Sequence, residues 1–144
     1  MATKIFVNLP VRDLNRSMDF FKQLGFHFNP QFTDKNATCM IIGEDIYIMM
    51  LVEPFFKGFT KKEICDAAKS TEVIITLSAD SREKVDEMVN KALTSGAAVS
   101  SKTQDQGWMY GRGFQDLDGH LWEMIWMDPA QIKSQGQVKE KEMI

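Results

Sequence analysis

The chain has only two cysteines, Cys39 and Cys65, and two histidines, His27 and His120, among 144 residues. So few thiols exclude a disulfide-stapled scaffold. With no apolar export segment in MATKIFVNLPVRD, both read as reduced groups in a cytoplasmic protein. Two histidines leave any metal site short of its commonest ligand. No run approaches the roughly 20 apolar residues of a membrane-spanning helix. A basic excess is also missing. Lys and Arg number 17 against 20 Asp and Glu, for a net charge of −3, which argues against a nucleic-acid partner. These absences leave a soluble globular chain, long enough to bury a real core in one domain.

What is present falls into two similar halves. KIFVNLPV (4–11) is rich in β-branched and aromatic residues and reads as a strand. A helix follows, with Leu14, Met18, Phe21 and Leu24 at helical spacing and Gly25 as its stop. FHFNPQF, ATCMIIG and IYIMMLV read as three strands, separated by DKN and GED turns. Thr60 to Glu63 has the form of a capping box and predicts a short helix over KKEICDAAK. The second half begins with a strand in EVIITLSAD. A second capping box at Asp80–Glu83 then opens a helix with an apolar stripe of Val85, Met88, Val89, Ala92 and Leu93, ended by Gly96. AAVSSK, GWMYGRGFQD and HLWEMIWM read as strands, the last two joined by a tight turn at LDG. Each half is thus strand, helix, three strands, a duplicated βαβββ unit. The expected organisation is one domain over 1–128, with unit one at about 4–53 and unit two at about 72–128. A polar tail over 129–144 completes it.

Two segments, VRDLNRSMDFFKQLGF near the start and FQDLDGHLWEM near the end, resemble the vicinal oxygen chelate superfamily. This is the group of glyoxalase I, the bleomycin- and fosfomycin-resistance proteins and the extradiol dioxygenases. The resemblance covers roughly residues 4 to 128. It implies an α+β fold whose two βαβββ units form a curled, mixed eight-stranded sheet, a cup, and it implies a homodimer. It also implies a divalent metal in the cup, held by His or Glu on the first and last strands of each unit. Carried over by position, those ligands fall on Phe6, Met50, Ile74 and Glu123. Phe, Met and Ile do not supply the imidazole or carboxylate such an ion needs. The expectation is therefore a cup without the family metal and without another cofactor. A different set, His27, His120 and Glu123, is disfavoured, because His120 and Glu123 point to opposite faces of a regular strand.

The candidate site residues follow from strand alternation. Asn8 shares a face with Phe6, and Thr76 shares one with Ile74, so both offer uncharged hydrogen-bonding groups toward a ligand. GWMYGRGFQD splits into a bulky rail (Trp108, Tyr110, Arg112, Phe114) and a rail of Met109, Gly111, Gly113 and Gln115. The bulky rail suits packing beneath a helix, and Trp108 can instead border the cup mouth. Glu123 is the group of greatest interest, a carboxylate among large apolar side chains. A two-residue hairpin loop would set Arg112 opposite it as a structural partner. A loop one residue longer would set Gly113 there and leave Glu123 open to a ligand. Neither cysteine has an adjacent base, so both read as packing thiols. The ten methionines provide an adaptable apolar lining.

Three functions fit this pattern. The first is a protein that binds a small organic ligand in its cup, with Glu123 as its catalytic or binding group and Phe6, Asn8, Met50, Ile74, Thr76, Trp108 and Arg112 as ligand contacts. The second is a metal-dependent lyase of the lactoylglutathione type, or a dioxygenase. The third is a non-catalytic dimeric module. The residues favour the first.

Overall fold

A computed structural model of the chain describes residues 3–131. Residues 132–144, most of the polar tail expected from the sequence, lie outside the described residues. The chain divides into two compact units. Among the described residues, unit one runs through Glu72 and takes in Leu117–His120, and unit two comprises Val73–Asp116 and residues 121–131. Both are α+β; unit one has the βαβββ order, and unit two follows the same plan with one additional short strand.

In unit one, β1 (Ile5–Val11) leads into α1 (Leu14–Gln23), followed by β2 (His27–Phe28), β3 (Ala37–Gly43) and β4 (Ile46–Val52). The strands form one sheet in the order β1-β4-β3-β2, with β1 parallel to β4 and the other pairs antiparallel. The Asp13 side chain caps α1 by accepting the Arg16 N–H at 3.1 Å. Leu14, Ser17, Phe20 and Phe21 form the buried face of α1, so the stripe is rotated slightly from the expected one and Met18 is only half-buried. The positive φ of Gly25 ends the helix.

Two expectations fail between these elements and unit two. FHFNPQF gives only a two-residue strand, because Pro30 opens a 3₁₀ turn, Pro30–Phe32, capped by the Asn29 side chain. KKEICDAAK is not helical. A short helix instead falls earlier, at α2 (Glu53–Phe56), followed by a 3₁₀ turn at Lys57–Phe59. The Thr60 hydroxyl accepts the Lys62 N–H, a local turn rather than a helix cap, and Asp66 makes the next turn with Ala68.

The backbone at Ala67 reaches the turn at Gly119. A Cβ on Gly119 would lie 2.9 Å from the carbonyl carbon and oxygen of Ala67, and Gly119 has φ +92. Only glycine fits there.

Unit two repeats the plan with β5 (Ile74–Ser78), α3 (Arg82–Thr94), β6 (Ala98–Val99), β7 (Gln104–Asp105), β8 (Met109–Gln115) and β9 (Leu121–Met127). The order is β5-β9-β8-β6, and β7 also pairs with β8. AAVSSK forms only the two-residue β6, a further short strand, β7, falls beyond it where none was expected, and the eight expected strands become nine in two sheets among the described residues. Ser81, not Asp80, caps α3, accepting the Lys84 N–H at 3.1 Å. Val85, Val89 and Ala92 bury the inner face of this helix.

The Asp116–His120 turn is structural throughout. Within unit one, the buried Asp118 carboxylate accepts the Arg12 backbone N–H at 2.9 Å, the Arg12 guanidinium at 3.3 Å and the buried Ser17 hydroxyl at 3.1 Å. His120 Nε2 lies 2.7 Å from the Pro10 carbonyl, so Nε2 is the donor. In unit two, Asp116 accepts the indole N–H of buried Trp122 at 2.9 Å.

Replacing Asp118 with Ala strands the buried Ser17 hydroxyl and the Arg12 N–H. It should lower unfolding stability by about 2–3 kcal/mol, measured by urea denaturation. Asp118→Asn, which keeps an acceptor, should lose clearly less. Equal losses would mean that the charge of the carboxylate, and not a neutral acceptor of the same shape, is what matters here.

Candidate functional site

Glu123 owes its position to the β8–β9 register. The turn is longer than two residues, so Gly113 stands opposite Glu123 and Arg112 opposite Met124. The alternative that paired Glu123 with Arg112 is therefore wrong. Register-matched residues share a face. Tyr110, Arg112 and Phe114 lie with Trp122, Met124 and Trp126, while Met109, Gly111, Gly113 and Gln115 lie with Leu121, Glu123, Ile125 and Met127.

The first of these faces is covered by α3. Arg112 Nη1 donates to Asp86 at 2.9 Å and to Asn90 at 3.0 Å, and the Tyr110 hydroxyl donates to the same Asp86 oxygen at 2.6 Å. The Tyr110 hydrogen bond, with the Arg112 guanidinium, holds the Asp86 carboxyl below its ordinary value. In return, the Asp86 carboxylate pushes the Tyr110 phenol up. Arg112, expected as a ligand contact, is engaged by this helix. Phe114 and Trp122 stack at 6.4 Å behind it. Trp108 precedes β8 and is half-buried, and its carbonyl accepts the Asp128 N–H at 2.7 Å.

The second face is open. On β5, Thr76 is aligned with Glu123 and Ile74 with Leu121, and both Thr76 and Ile74 are exposed. Thr76 Oγ1 donates to Glu123 Oε2 at 3.3 Å. Glu123 is half-buried and forms no ion pair among the described residues. It is also the single charged residue that β5, β8 and β9 place on this face. A small cleft beside it is lined by Ser101, Lys102, Gln104, Met109, Gly111 and Ile125 among others. The sequence pattern missed Ser101 and Lys102, because they lie between two strands too short to show a period.

In unit one, Phe6 and Asn8 lie on one face of β1, level with Tyr47 and Met49 of β4. Both are exposed, and Phe6 stacks on Tyr47 at 4.9 Å. Met50 does not join them. It is level with Leu9, on the opposite face, and fully buried. The methionine of β4 that shares the Phe6 face is its neighbour Met49, another thioether. A cavity of about 240 Å³ elsewhere in unit one is lined by Arg12, Glu53, Cys65, Asp66, Asp118 and His120. It was not anticipated, since its walls come from segments far apart in sequence.

The donor chemistry does not fit a divalent ion. Phe6 and Met49 face one way in unit one, Ile74 and Glu123 in unit two, and Glu123 is the single hard donor among the four. No three His, Cys, Asp or Glu side chains cluster as a metal site requires among the described residues. His27 lies on β2, in unit one, and His120 is bound to the Pro10 carbonyl.

Residues 3–43 match a family model described as bleomycin resistance protein-like N-terminal. Hypothetical protein SA1046 from S. aureus is 32% identical, the match covering 88% of this chain and 95% of that one, with a TM-score of 0.74. A glyoxalase/bleomycin resistance protein/dioxygenase family enzyme from Burkholderia phytofirmans PsJN is 16% identical over 88% of this chain and 99% of its own, at TM-score 0.72. The fosfomycin resistance protein FosX from Mesorhizobium loti is 14% identical over 91% and 97%, at TM-score 0.64. No curated protein matches the sequence. These likenesses give the chain the fold of the glyoxalase/bleomycin resistance/dioxygenase proteins, and its residues 3–43 match the N-terminal model of the bleomycin resistance protein-like group. No helix among the described residues is long and apolar enough to cross a membrane.

One ion pair near the site sets a pH dependence. Arg82 donates two hydrogen bonds to Asp105, at 2.8 and 2.7 Å, and its guanidinium lies over Tyr110 and Trp126. The Arg82 hydrogen bonds, aided by the Gly107 N–H, bring the Asp105 carboxyl from 3.8 to about 2. A depressed folded-state value means this stabilisation is fully present above pH 3.8 and is lost as pH falls toward about 2. Urea unfolding of Asp105→Asn should accordingly be less pH-dependent than the parent between those values. Parallel curves would remove the pair from the account.

Proposed function

We propose that the protein binds a small organic molecule on the open sheet face of unit two, with Glu123 as its polar anchor and without the family metal. One observation carries this reading. Glu123 is a half-buried carboxylate on an otherwise apolar or uncharged face, with one hydroxyl partner at 3.3 Å and no cation within ion-pair distance among the described residues. Such a group is poorly compensated by its own protein and is available to a ligand. Ile74, Ile125 and Met109 supply apolar surface around it, and Gly111 and Gly113 add no bulk.

Ligand binding needs no chemistry beyond this. Glu123 accepts a hydrogen bond, Thr76 orients the carboxylate, and the aliphatic side chains exclude water from the apolar part of the ligand. A metal-dependent lyase or dioxygenase would require donors at positions that here carry Phe6, Met49 and Ile74. A homodimer, implied by the family resemblance, remains part of the proposal, as does a cytoplasmic location.

Two measurements test it. Glu123→Gln should leave the unliganded protein within about 0.5 kcal/mol of the parent, as for other partly exposed positions. It should weaken the best hit of a thermal-shift screen by about tenfold or more, the scale of a lost charge-assisted hydrogen bond. A stability loss with unchanged binding would reverse the assignment. Elemental analysis of the purified protein should find no stoichiometric Ni, Zn, Fe or Mn. An ion present once per chain and lost in Glu123→Gln would establish the metal-dependent reading instead.

A further inference from the structure

The serines that follow β6 give the Glu123 face a more specific chemistry. Gly113, directly across from Glu123, is overlaid by them. A Cβ built on Gly113 would lie 2.5 Å from Ser100 Oγ and 3.2 Å from Ser101 Oγ, with the Trp122 carbonyl at 3.0 Å. The missing side chain is therefore what lets both hydroxyls reach the sheet surface beside Glu123. On the other flank stands Thr76, whose hydroxyl already donates to Glu123 Oε2. A polar row thus crosses the face, with Thr76, Glu123 and the Ser100–Ser101 pair above Gly113. Ile74 and Leu121 lie to one side of it and Ile125 to the other.

We infer that this row is a subsite for a primary ammonium group carried on an apolar body. The inference rests on Glu123 being the ligand contact. A primary ammonium has three N–H donors and no acceptor. The row offers the Glu123 carboxylate and two serine hydroxyls, acceptors on one face whose approach depends on the absence of a side chain at Gly113. A carboxylate headgroup would be repelled by Glu123, and a single alcohol donor would use one acceptor of the three. Lys102 lines the same cleft, but its side chain is exposed and makes no ion pair with Glu123. Its long stem keeps its own ammonium in water. Gly113 then determines specificity, because any side chain there displaces the serines.

The test uses three probes of one shape: cyclohexylamine, protonated at neutral pH, cyclohexanol and cyclohexanecarboxylate. Backbone amide resonances of the full chain are followed by NMR. The amine should shift Ser100, Ser101, Gly113 and Glu123 saturably, with a Kd about tenfold below that of cyclohexanol, as a charge-assisted contact requires. The carboxylate should shift none of them. Glu123→Gln should bring the amine to the level of the alcohol. The Ser100→Ala/Ser101→Ala double variant should weaken the amine and leave the alcohol nearly unchanged. Spectra of the unliganded variants report whether each is folded. If Glu123→Gln weakens the amine but the serine variant does not, the ammonium subsite is overturned and the binding role of Glu123 stands. If alcohol and amine bind equally, the subsite is likewise overturned. If no probe moves the face at all, both readings fall.

Discussion

One strand register decides what this protein's central carboxylate can do. Strand side chains alternate with a period of two, so a slip of one residue between β8 and β9 would exchange their faces relative to one another. The register that forms puts Gly113 across from Glu123 and sends Arg112 to the helix side, where Asp86 and Asn90 hold it. Its cause is the turn. Asp116 is tied to the Trp122 indole, Gly119 takes a backbone conformation open only to glycine against Ala67, and Asp118 and His120 are bound to Arg12, Ser17 and Pro10. A shorter loop could not keep these contacts. The open Glu123 is a consequence of a turn built for structural reasons.

The same contacts account for the two segments that carried the family resemblance. The first supplies Arg12 and Ser17, and the second supplies the Asp118 carboxylate that binds both. These motifs identify a fold because they are parts of one buried hydrogen-bond arrangement. They say little about a reaction because none of their charged groups except Glu123 faces an open sheet surface in unit two. The family's range of chemistries is compatible with that division between frame and site.

Much of the frame was legible from residue order. β3 and β4 coincide with ATCMIIG and IYIMMLV, and the stops at Gly25 and Gly96 hold because both have positive φ. The failures have local physical causes. Thr60–Glu63 has the letters of a capping box, yet its hydroxyl closes a turn, and the chain beyond must bring Ala67 against Gly119. Asp80 resembles a cap, but Ser81 is the residue in position. At the site, alternation placed Thr76 and Ile74 beside Glu123 and Asn8 beside Phe6. The carry-over by family position landed at β4 on Met50, which is buried on the face opposite Phe6. Alternation was silent on Ser100 and Ser101, which no periodic strand announces. Hairpin length, which decided between Arg112 and Gly113, is a tertiary property and was undecidable from the letters alone.

The account stands on Glu123 being compensated by a ligand rather than by its own protein. A crystal structure of the protein as isolated from cells, or soaked with a screened hit, tests that most directly. The expected result is organic density on the open face of β5, β8 and β9, with a donor atom within hydrogen-bond distance of the Glu123 carboxylate and Arg112 still bound to Asp86. A Glu123 carboxylate paired with Arg112, or turned into bulk water with the face bare in every soak, would contradict it.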